Sequence, residues 1–462
     1  MTNRKKMLIF LNIMITCIAS SMLATALTTA LPPIMEDFGI SVSTGQWMTS
    51  GYSLAMGIMM PLTAFLITRF PTKKLYLSAM GLFIAGLTLC VIAPSFPIMM
   101  AGRILQAAGN GILTSMAQVI LLTAFPKDQQ GTIMGWYGLS VGAAPVIAPT
   151  LAGILVDSFG WRMIFYLAMA IMAVSFVFAV TVFENVLETK HQKFDSLSFV
   201  ISAIAFGGIT LGIGNLSSLG AENKIAWGIL AAGVIAFMIF VYRQLHLEEP
   251  FLEMRIVKDR NFSLSLAGSM LLYLVMMGSS IIMPLYVQSV MGYSATTSGL
   301  VTLPGSLAMA VVSPFAGKIY DKLGMKKLFV VGAACMLLSN LGMFFITMKT
   351  SIWIAAFYNM IRCIAIGCLM MPLVTWGVGG LDRYQTAHGT ALLTSLRTIA
   401  GAIGSAVFVG IMTMVGESSA AVYGNEAPMH GLNIAFLSMA AGTALLLAIA
   451  IFLVKETRQT NR

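Results

Sequence analysis

The sequence predicts an all-α integral membrane protein with fourteen transmembrane helices, and three observations predict it. The chain has 462 residues, of which 58% are hydrophobic and only 10% charged, with a mean hydropathy of +0.89. A water-soluble surface draws on roughly a quarter charged residues, so this composition suits a surface that faces lipid. Continuous apolar runs of about twenty residues, the length that crosses a bilayer as a helix, recur along the whole chain. Barrel strands would instead alternate over about ten residues. Finally, the basic residues fall on alternate connections, as the positive-inside rule expects.

The runs lie at 8–31, 46–67, 76–96, 98–124, 132–155, 162–183, 197–217, 226–245, 262–290, 297–320, 328–347, 351–379, 387–413 and 433–454. Most are bounded by charges or by helix-breaking residues. The first opens after Arg4, Lys5 and Lys6 and closes at Leu31-Pro32. The second stops before Arg69, and Lys73 and Lys74 precede the third. Pro97 opens the fourth, and Pro126-Lys127-Asp128 separates it from the fifth. Gly160-Trp161-Arg162 divides the fifth from the sixth. Asn223-Lys224 divides the seventh from the eighth, and Arg260 precedes the ninth, which closes at Met283-Pro284. Lys322 to Lys327 divides the tenth from the eleventh, Lys349 precedes the twelfth, and Asp382-Arg383 precedes the thirteenth.

With the amino terminus inside, twenty-one of the 27 basic residues lie in cytoplasmic segments and three outside, Arg162, Lys224 and Lys349. The remaining three, Arg103, Arg362 and Arg397, fall within spans. Both termini are expected in the cytoplasm. The net charge of +10 then reports topology, and no nucleic-acid partner is expected. A cleaved signal peptide is the weaker reading of the basic N-terminus, because its apolar run is too long and many spans follow. Cys17, Cys90, Cys335, Cys363 and Cys368 all lie in spans without a CxxC or Cys/His cluster, so no metal site, cofactor or disulfide framework is expected.

Two halves share one plan. The first span ends in Leu31-Pro32, with Gly39 and Gly45 after it; the ninth ends in Met283-Pro284, with Gly292 and Gly299 after it. A basic loop follows in each. Pro32 to Arg69 is 37 residues and Pro284 to Lys322 is 38. A lone arginine then occupies each fourth span, Arg103 and Arg362. This register predicts a parallel repeat: a six-helix bundle over 1–183, a second over 262–462, and an insert over 184–261. The insert carries two extra helices between charged linkers (184–195 and 243–260). Repeats of this kind build transporters whose site lies between the halves.

Gly317-Lys-Ile-Tyr-Asp321-Lys322-Leu-Gly324-Met-Lys326-Lys327 sets one acid among cations in a tight turn between two spans. The corresponding stretch, Ala64 to Lys74, keeps Arg69, Lys73 and Lys74, with Thr68 in place of the acid and Pro71 in place of the second glycine. In the fifth span Gly138, Gly142, Pro145, Pro149 and Gly153 fall within about 80° on one helix face. Small residues there allow close backbone approach, and the prolines permit bending. The chain continues into Gly153-Ile-Leu-Val-Asp157-Ser-Phe-Gly160-Trp161-Arg162. Trp47 with Tyr52, Arg103-Ile-Leu-Gln106, and His388-Gly389 through Arg397, Gly401 and Gly404 complete the set.

These motifs resemble those of the major facilitator superfamily, and among its branches the fourteen-span drug:proton antiporters of the EmrB and QacA type. The resemblance implies a major facilitator fold of two six-helix bundles plus two inserted helices. It further implies a cytoplasmic latch at the basic loops, an antiporter motif in the fifth span, proton coupling, and a multi-pass, monomeric protein of the bacterial plasma membrane. The family commonly has an acid in the first span before Ala-Leu-Pro; here Ala30-Leu31-Pro32 is kept, but Leu23 stands at the acid position.

Polar side chains within spans are costly and mark cavities. Thr25 and Thr28, the stripe Arg103, Gln106 and Asn110, the pair Asn359 and Arg362, and Arg397 are the expected cavity residues. All seventeen acids lie in loops or at span ends. Asp157 and His388 are the nearest candidates for a proton-carrying group. A pocket with arginines and no carboxylate carries a positive potential, which favours anionic or neutral amphipaths over cations. Secondary active export of small amphipathic compounds is the expected function. A dedicated exporter of an endogenous anionic metabolite is the alternative, and a transport-inactive receptor or assembly factor is the rival of another class. An enzyme is excluded, because the chain has no nucleophile–base set and no P-loop.

Overall fold

A computed structural model describes residues 2–187, 189, 194–219 and 223–455, without the side chains at 24, 25, 28, 42, 43, 46, 143, 145–147, 149, 150, 217–219 and 295. Of the expected site residues, the side chains of Thr25, Thr28, Pro145 and Pro149 lie outside the described ones. Fifteen α-helices follow one another: α1 Asn3–Phe38, α2 Val42–Arg69, α3 Thr72–Ile92, α4 Phe96–Ala124, α5 Gln130–Phe159, α6 Arg162–Val182, α7 Ser196–Leu219, α8 Lys224–His246, α9 Arg260–Leu285, α10 Ala295–Leu323, α11 Met325–Phe344, α12 Ile352–Val378, α13 Arg383–Ser418, the single turn α14 Ala420–Tyr423, and α15 Ala427–Ala448. Among the described residues, thirteen helices are long and apolar enough to cross a membrane. The 30-residue α5 is a fourteenth long helix, several of whose side chains lie outside the description.

The repeat is visible in the packing. In the first half α1 touches α5 and α6, α4 touches α2 and α3, and α3 touches α6. The second half repeats each pair: α9 with α13 and α15, α12 with α10 and α11, and α11 with α15. Local signals repeat too. Ser41 caps α2 by accepting from the Thr44 amide at 3.3 Å, and Ser294 caps α10 from the Thr297 amide at 3.2 Å; in both, the residue three positions on is a threonine. Gly39 and Gly292 follow α1 and the α9 segment at φ +62° and +72°, a backbone region that glycine enters without strain.

Leu31-Pro32 and Met283-Pro284 do not end their helices. α1 runs through Pro32 and Pro33 to Phe38, where Gly39 closes it with its amide on the Glu36 carbonyl and the Ile40 amide on that of Met35, a Schellman arrangement. α9 passes Pro284 and ends in a π-turn over Tyr286–Val290. Proline has a helix-compatible φ; inside a helix it loses its own N–H bond and crowds the carbonyl four residues back, which bends the helix without having to end it. At 36 residues, α1 is about 54 Å long, more than the hydrocarbon core needs.

The inserted helices α7 and α8 pack on each other, and α7 lies against α2 and α13, along one seam between the halves. A polar network ties their ends to the rest. Asp195 accepts from the Ser198 amide at 3.1 Å, the Ser198 hydroxyl at 2.6 Å and Arg243 Nη2 at 2.9 Å. Gln244 donates to Ser198 at 2.8 Å and accepts from the Leu252 amide at 3.0 Å. The next amide, Glu253, donates to His388 Nδ1 at 3.3 Å. Burial pushes the Asp195 carboxyl up, but the Ser198 and Arg243 bonds outweigh it and hold it below its ordinary value. A depressed carboxyl stabilises the fold above its unfolded-state pKa and loses that contribution as pH falls through the folded value. Asp195→Asn is therefore expected to lower the melting temperature by roughly a few degrees at neutral pH. In a fluorescence melt, the difference from wild type shrinks on acidification.

Candidate functional site: the seam between the bundles

The bundles meet along two symmetric contacts, α5 with α10 and α2 with α13, and α4 also reaches α13 and α12 reaches α5. The proximal end of the molecule is the one where α1 begins and α15 finishes. There the seam is closed by glycines. A Cβ on Gly135 would lie 2.6 Å from the Ser313 carbonyl, one on Gly138 2.8 Å from Met371 Cγ, and one on Gly142 2.7 Å from Met309 Cε. Gly131 and Gly317 also approach backbone to backbone. Farther along the same face of α5, a Cβ on Gly153 would meet nothing within 4 Å. From Gly142 to Gly153 is about 16 Å along the helix axis. On this face of α5 the glycines at the proximal end meet the other half, whereas Gly153 has open space around it.

Asp321 bolts the closed end. Its Oδ1 accepts from the Gly131 amide at 2.8 Å, and its Oδ2 accepts from the Thr132 amide and hydroxyl, both at 2.7 Å. The carboxylate, from α10 of the second half, sits on the first-turn amides of α5 in the first half, where the helix dipole favours negative charge. Gly324, at φ +76°, makes the turn into α11. Gly317 is buried, while Lys318, Lys322 and Lys327 are exposed and Lys326 is half-buried.

The first-half loop is built differently. Thr68 turns back on its own helix, donating to the Ala64 and Phe65 carbonyls. The symmetric recipient, the start of α13, is capped by its own Asp382, which accepts from the Gln385 amide at 2.7 Å. Pro71 caps α3 in place of a left-handed glycine. Lys73 Nζ donates to the Val180 carbonyl at 2.7 Å, Arg69 is half-buried, and Lys74 is exposed. The connector after α8 covers this end instead: Phe251 is buried and stacks on Phe65, their ring centroids 6.0 Å apart.

The intramembrane arginines differ in their surroundings. Arg103 is buried, with Nη1 on Gln106 at 2.7 Å, Nε on the Met48 carbonyl at 3.3 Å, and its guanidinium 4.1 Å from the Tyr52 ring centroid. Asn110 donates to the Tyr52 hydroxyl at 2.8 Å. Arg103 and Tyr52 also line a cavity of about 260 Å³ together with Thr398 of α13, so residues of both halves enclose it. Arg362 donates to Asn359 at 2.5 Å and lies 5.6 Å from the Phe436 ring within the second half. Arg397 lies 4.8 Å from the Tyr273 ring, and its Nε and Nη1 are buried without hydrogen-bond partners. Asp157 is exposed near the distal end of α5. His388 is buried under the connector, 4.6 Å from the Tyr384 ring.

A second cavity, about 340 Å³, opens at the proximal end of the seam and is lined by Lys6, Lys127 and Arg383 among others. Sequence reasoning passed over this cationic mouth, because its three members come from three separate helix ends. It also passed over Thr390 and Thr394, although their spacing from Arg397 marks one helix face.

Residues 9–405 match the Major Facilitator Superfamily. The chain is 36% identical to the "Uncharacterized MFS-type transporter YcnB" of Bacillus subtilis, over 94% of this chain and 92% of that protein. It is 31% identical to the "Lincomycin resistance protein LmrB" of Listeria monocytogenes, over 84% of this chain and 83% of the other. The crystal structure of the human organic anion transporter MFSD10 superposes with a TM-score of 0.64, covering 95% of this chain and 99% of that one at 14% identity; at that identity the likeness concerns the fold alone. Two repeated helix bundles, a glycine-packed seam, and relatives matched over most of their length make this chain a multi-pass membrane transporter, not an enzyme, of the major facilitator superfamily and its drug:proton antiporter family.

Proposed function

We propose that the protein exports small amphipathic compounds from the bacterial cytoplasm by alternating access, driven by inward movement of protons. The observation that carries this reading is the asymmetry along α5: glycine contacts and the Asp321 bolt at one end, and open space around Gly153 toward the other. With the termini in the cytoplasm, as the cation distribution supports, this is the outward-facing state of a rocking pair of bundles. The prolines and glycines of α5 and the name of LmrB support export of drug-like compounds rather than uptake. A monomer suffices, since both halves of the seam belong to one chain.

Coupling requires a titratable group that meets each side in turn. Among the described residues, carboxylates within helices sit in the last turn, so the buried His388, which bonds the connector, is the candidate we favour over the exposed Asp157. Each unit charge moved is worth about 2.3 kcal/mol per 100 mV. The test is flux in proteoliposomes under separately imposed pH and voltage gradients. A pH gradient, inside acidic relative to the substrate-loading side, is expected to drive uptake against a concentration gradient. Uptake that ignores the pH gradient would remove proton exchange from the reading.

A further inference from the structure

Arg397 is a full charge, 4% exposed, whose Nε and Nη1 have no hydrogen-bond partner. Every described acid in a helix sits in its last turn or outside the spans, so among the described residues no carboxylate pairs with it. Burying a guanidinium without partners for its N–H groups is unfavourable, and a bound anion would relieve it. Arg103 and Arg362 each donate to a side-chain amide of their own helix; Arg362 keeps one unsatisfied nitrogen, Nη1, whereas Arg397 makes no side-chain hydrogen bond among the described residues and has two.

The groups around Arg397 share its condition. Thr390 and Thr394 stand seven and three residues before it on the same side of α13, and both hydroxyls are buried without partners. Helical threonines ordinarily bond the carbonyl four residues back. Their neighbours do so: Thr386 to Asp382 at 2.7 Å and Thr398 to Thr394 at 2.8 Å. Across the seam, Tyr137 lies beside Gln118 and within electrostatic reach of Arg397. One residue beyond Arg397, Thr398 enters the cavity shared with Arg103. At the proximal end of α13, Arg383 lines the mouth with Lys6 and Lys127. The α4–α13 seam therefore runs from a cationic mouth, past hydroxyls without partners, to Arg397, which rests on the Tyr273 ring with Nε and Nη1 unsatisfied and whose neighbour Thr398 lines the distal cavity.

We infer that Arg397 is the charge-recognising residue of the substrate site, and that it takes the carboxylate or similar anionic head of an amphipathic substrate. A guanidinium presents paired N–H donors that match a carboxylate, and Thr390 and Thr394 supply further donors along the path. The inference rests on the transport reading for its direction, and it names the substrate class of that same seam.

The experiment uses three fluorescent amphipaths with one aromatic body: dansylglycine (anionic), dansylglycinamide (neutral) and dansylcadaverine (cationic). Binding to the purified full-length protein in nanodiscs is followed by dansyl fluorescence. Wild type is expected to bind dansylglycine about tenfold more tightly than dansylglycinamide, with dansylcadaverine weakest. Arg397→Gln is expected to abolish that preference through loss of the anion's affinity alone. Arg397→Lys, which keeps the charge but not the fork, is expected to weaken the anion about threefold or more, and it serves if the glutamine variant does not fold. Equal binding of anion and amide by wild type, tighter binding of the cation, or an undiminished preference in Arg397→Gln would overturn the inference. So would an unchanged anion affinity in Arg397→Lys. Flux of the same three dyes in proteoliposomes separates the two readings. Arg397-dependent binding without flux of any dye leaves the site and removes the transport reading. Flux without charge preference leaves transport and removes the site.

Discussion

Asp321→Ala is expected to cut net transport by about an order of magnitude or more while leaving the protein folded. The carboxylate accepts three hydrogen bonds from the start of α5, each formed between opposite halves. Bonds to a charged acceptor are worth about 1.5–3 kcal/mol each, and part is recovered when water replaces the lost partner. A net loss of roughly 3 kcal/mol on the closed-end state shifts its ratio to the alternative by a factor of about 100. The cycle then stalls in the state open at the proximal end. A cysteine placed at Gln118, buried in the closed seam, measures this directly. In the Asp321→Ala background it is expected to label with a water-soluble maleimide much faster than with Asp321 present. Labelling at the same rate would show that Asp321 holds nothing closed. Thr68 makes no comparable contact, so Thr68→Val is expected to have little effect on either measurement.

Gly317→Ala is expected to be as damaging by the opposite means. A Cβ at this position has no room, because the Gly131 carbonyl and the Thr132 Cα of the other half already occupy the space. Backbone cannot yield as a flexible side-chain tip can, and overpacking of a close seam costs about 1–3 kcal/mol. The methyl acts as a wedge where the bundles touch backbone to backbone. Transport is expected to fall about tenfold or more. Gly153→Ala is the matched comparison, with open space around its Cβ, and it is expected to leave the melting temperature of this state unchanged or slightly higher, since alanine is the better helix former. Equal flux in Gly317→Ala and wild type would mean that the glycine seam does not close during the cycle.

The two losses are distinguishable. Asp321→Ala weakens the closed end without adding bulk, so an added Asp or Glu at the start of α5 does not restore it. Gly317→Ala keeps all three hydrogen-bonding partners but holds them apart. Thiol labelling rises in both variants, whereas dansylglycine binding at Arg397, on the distal side of the wedge, is expected to persist in both.

The membrane-spanning helical class and the repeated spacing were legible in the residue order, because each is a local property. Length and hydrophobicity mark a span, and the near-equal separations of Pro32 from Arg69 and Pro284 from Lys322 mark the repeat. What each latch residue grips was not legible. Asp321 and Thr132 are far apart in sequence, and their contact follows from how one bundle is laid on the other. The same applies to the arginines. Residue order set Gln106 beside Arg103 and Asn359 beside Arg362, one turn apart on one helix face, and gave Arg397 no amide neighbour. Folding shows that those amides accept from the first two arginines, while Arg397 lies against Tyr273 with Nε and Nη1 unsatisfied. Pairing is a matter of distance in space, and the helix ends that form the cationic mouth come from three separate stretches of chain. The apolar pattern by itself determined that the protein crosses a bilayer as helices, because hydrophobic length is a local property. The tertiary structure decided that Asp321 ties α10 to the start of α5 and that Nε and Nη1 of Arg397 are left without partners, because both depend on how one bundle is laid on the other.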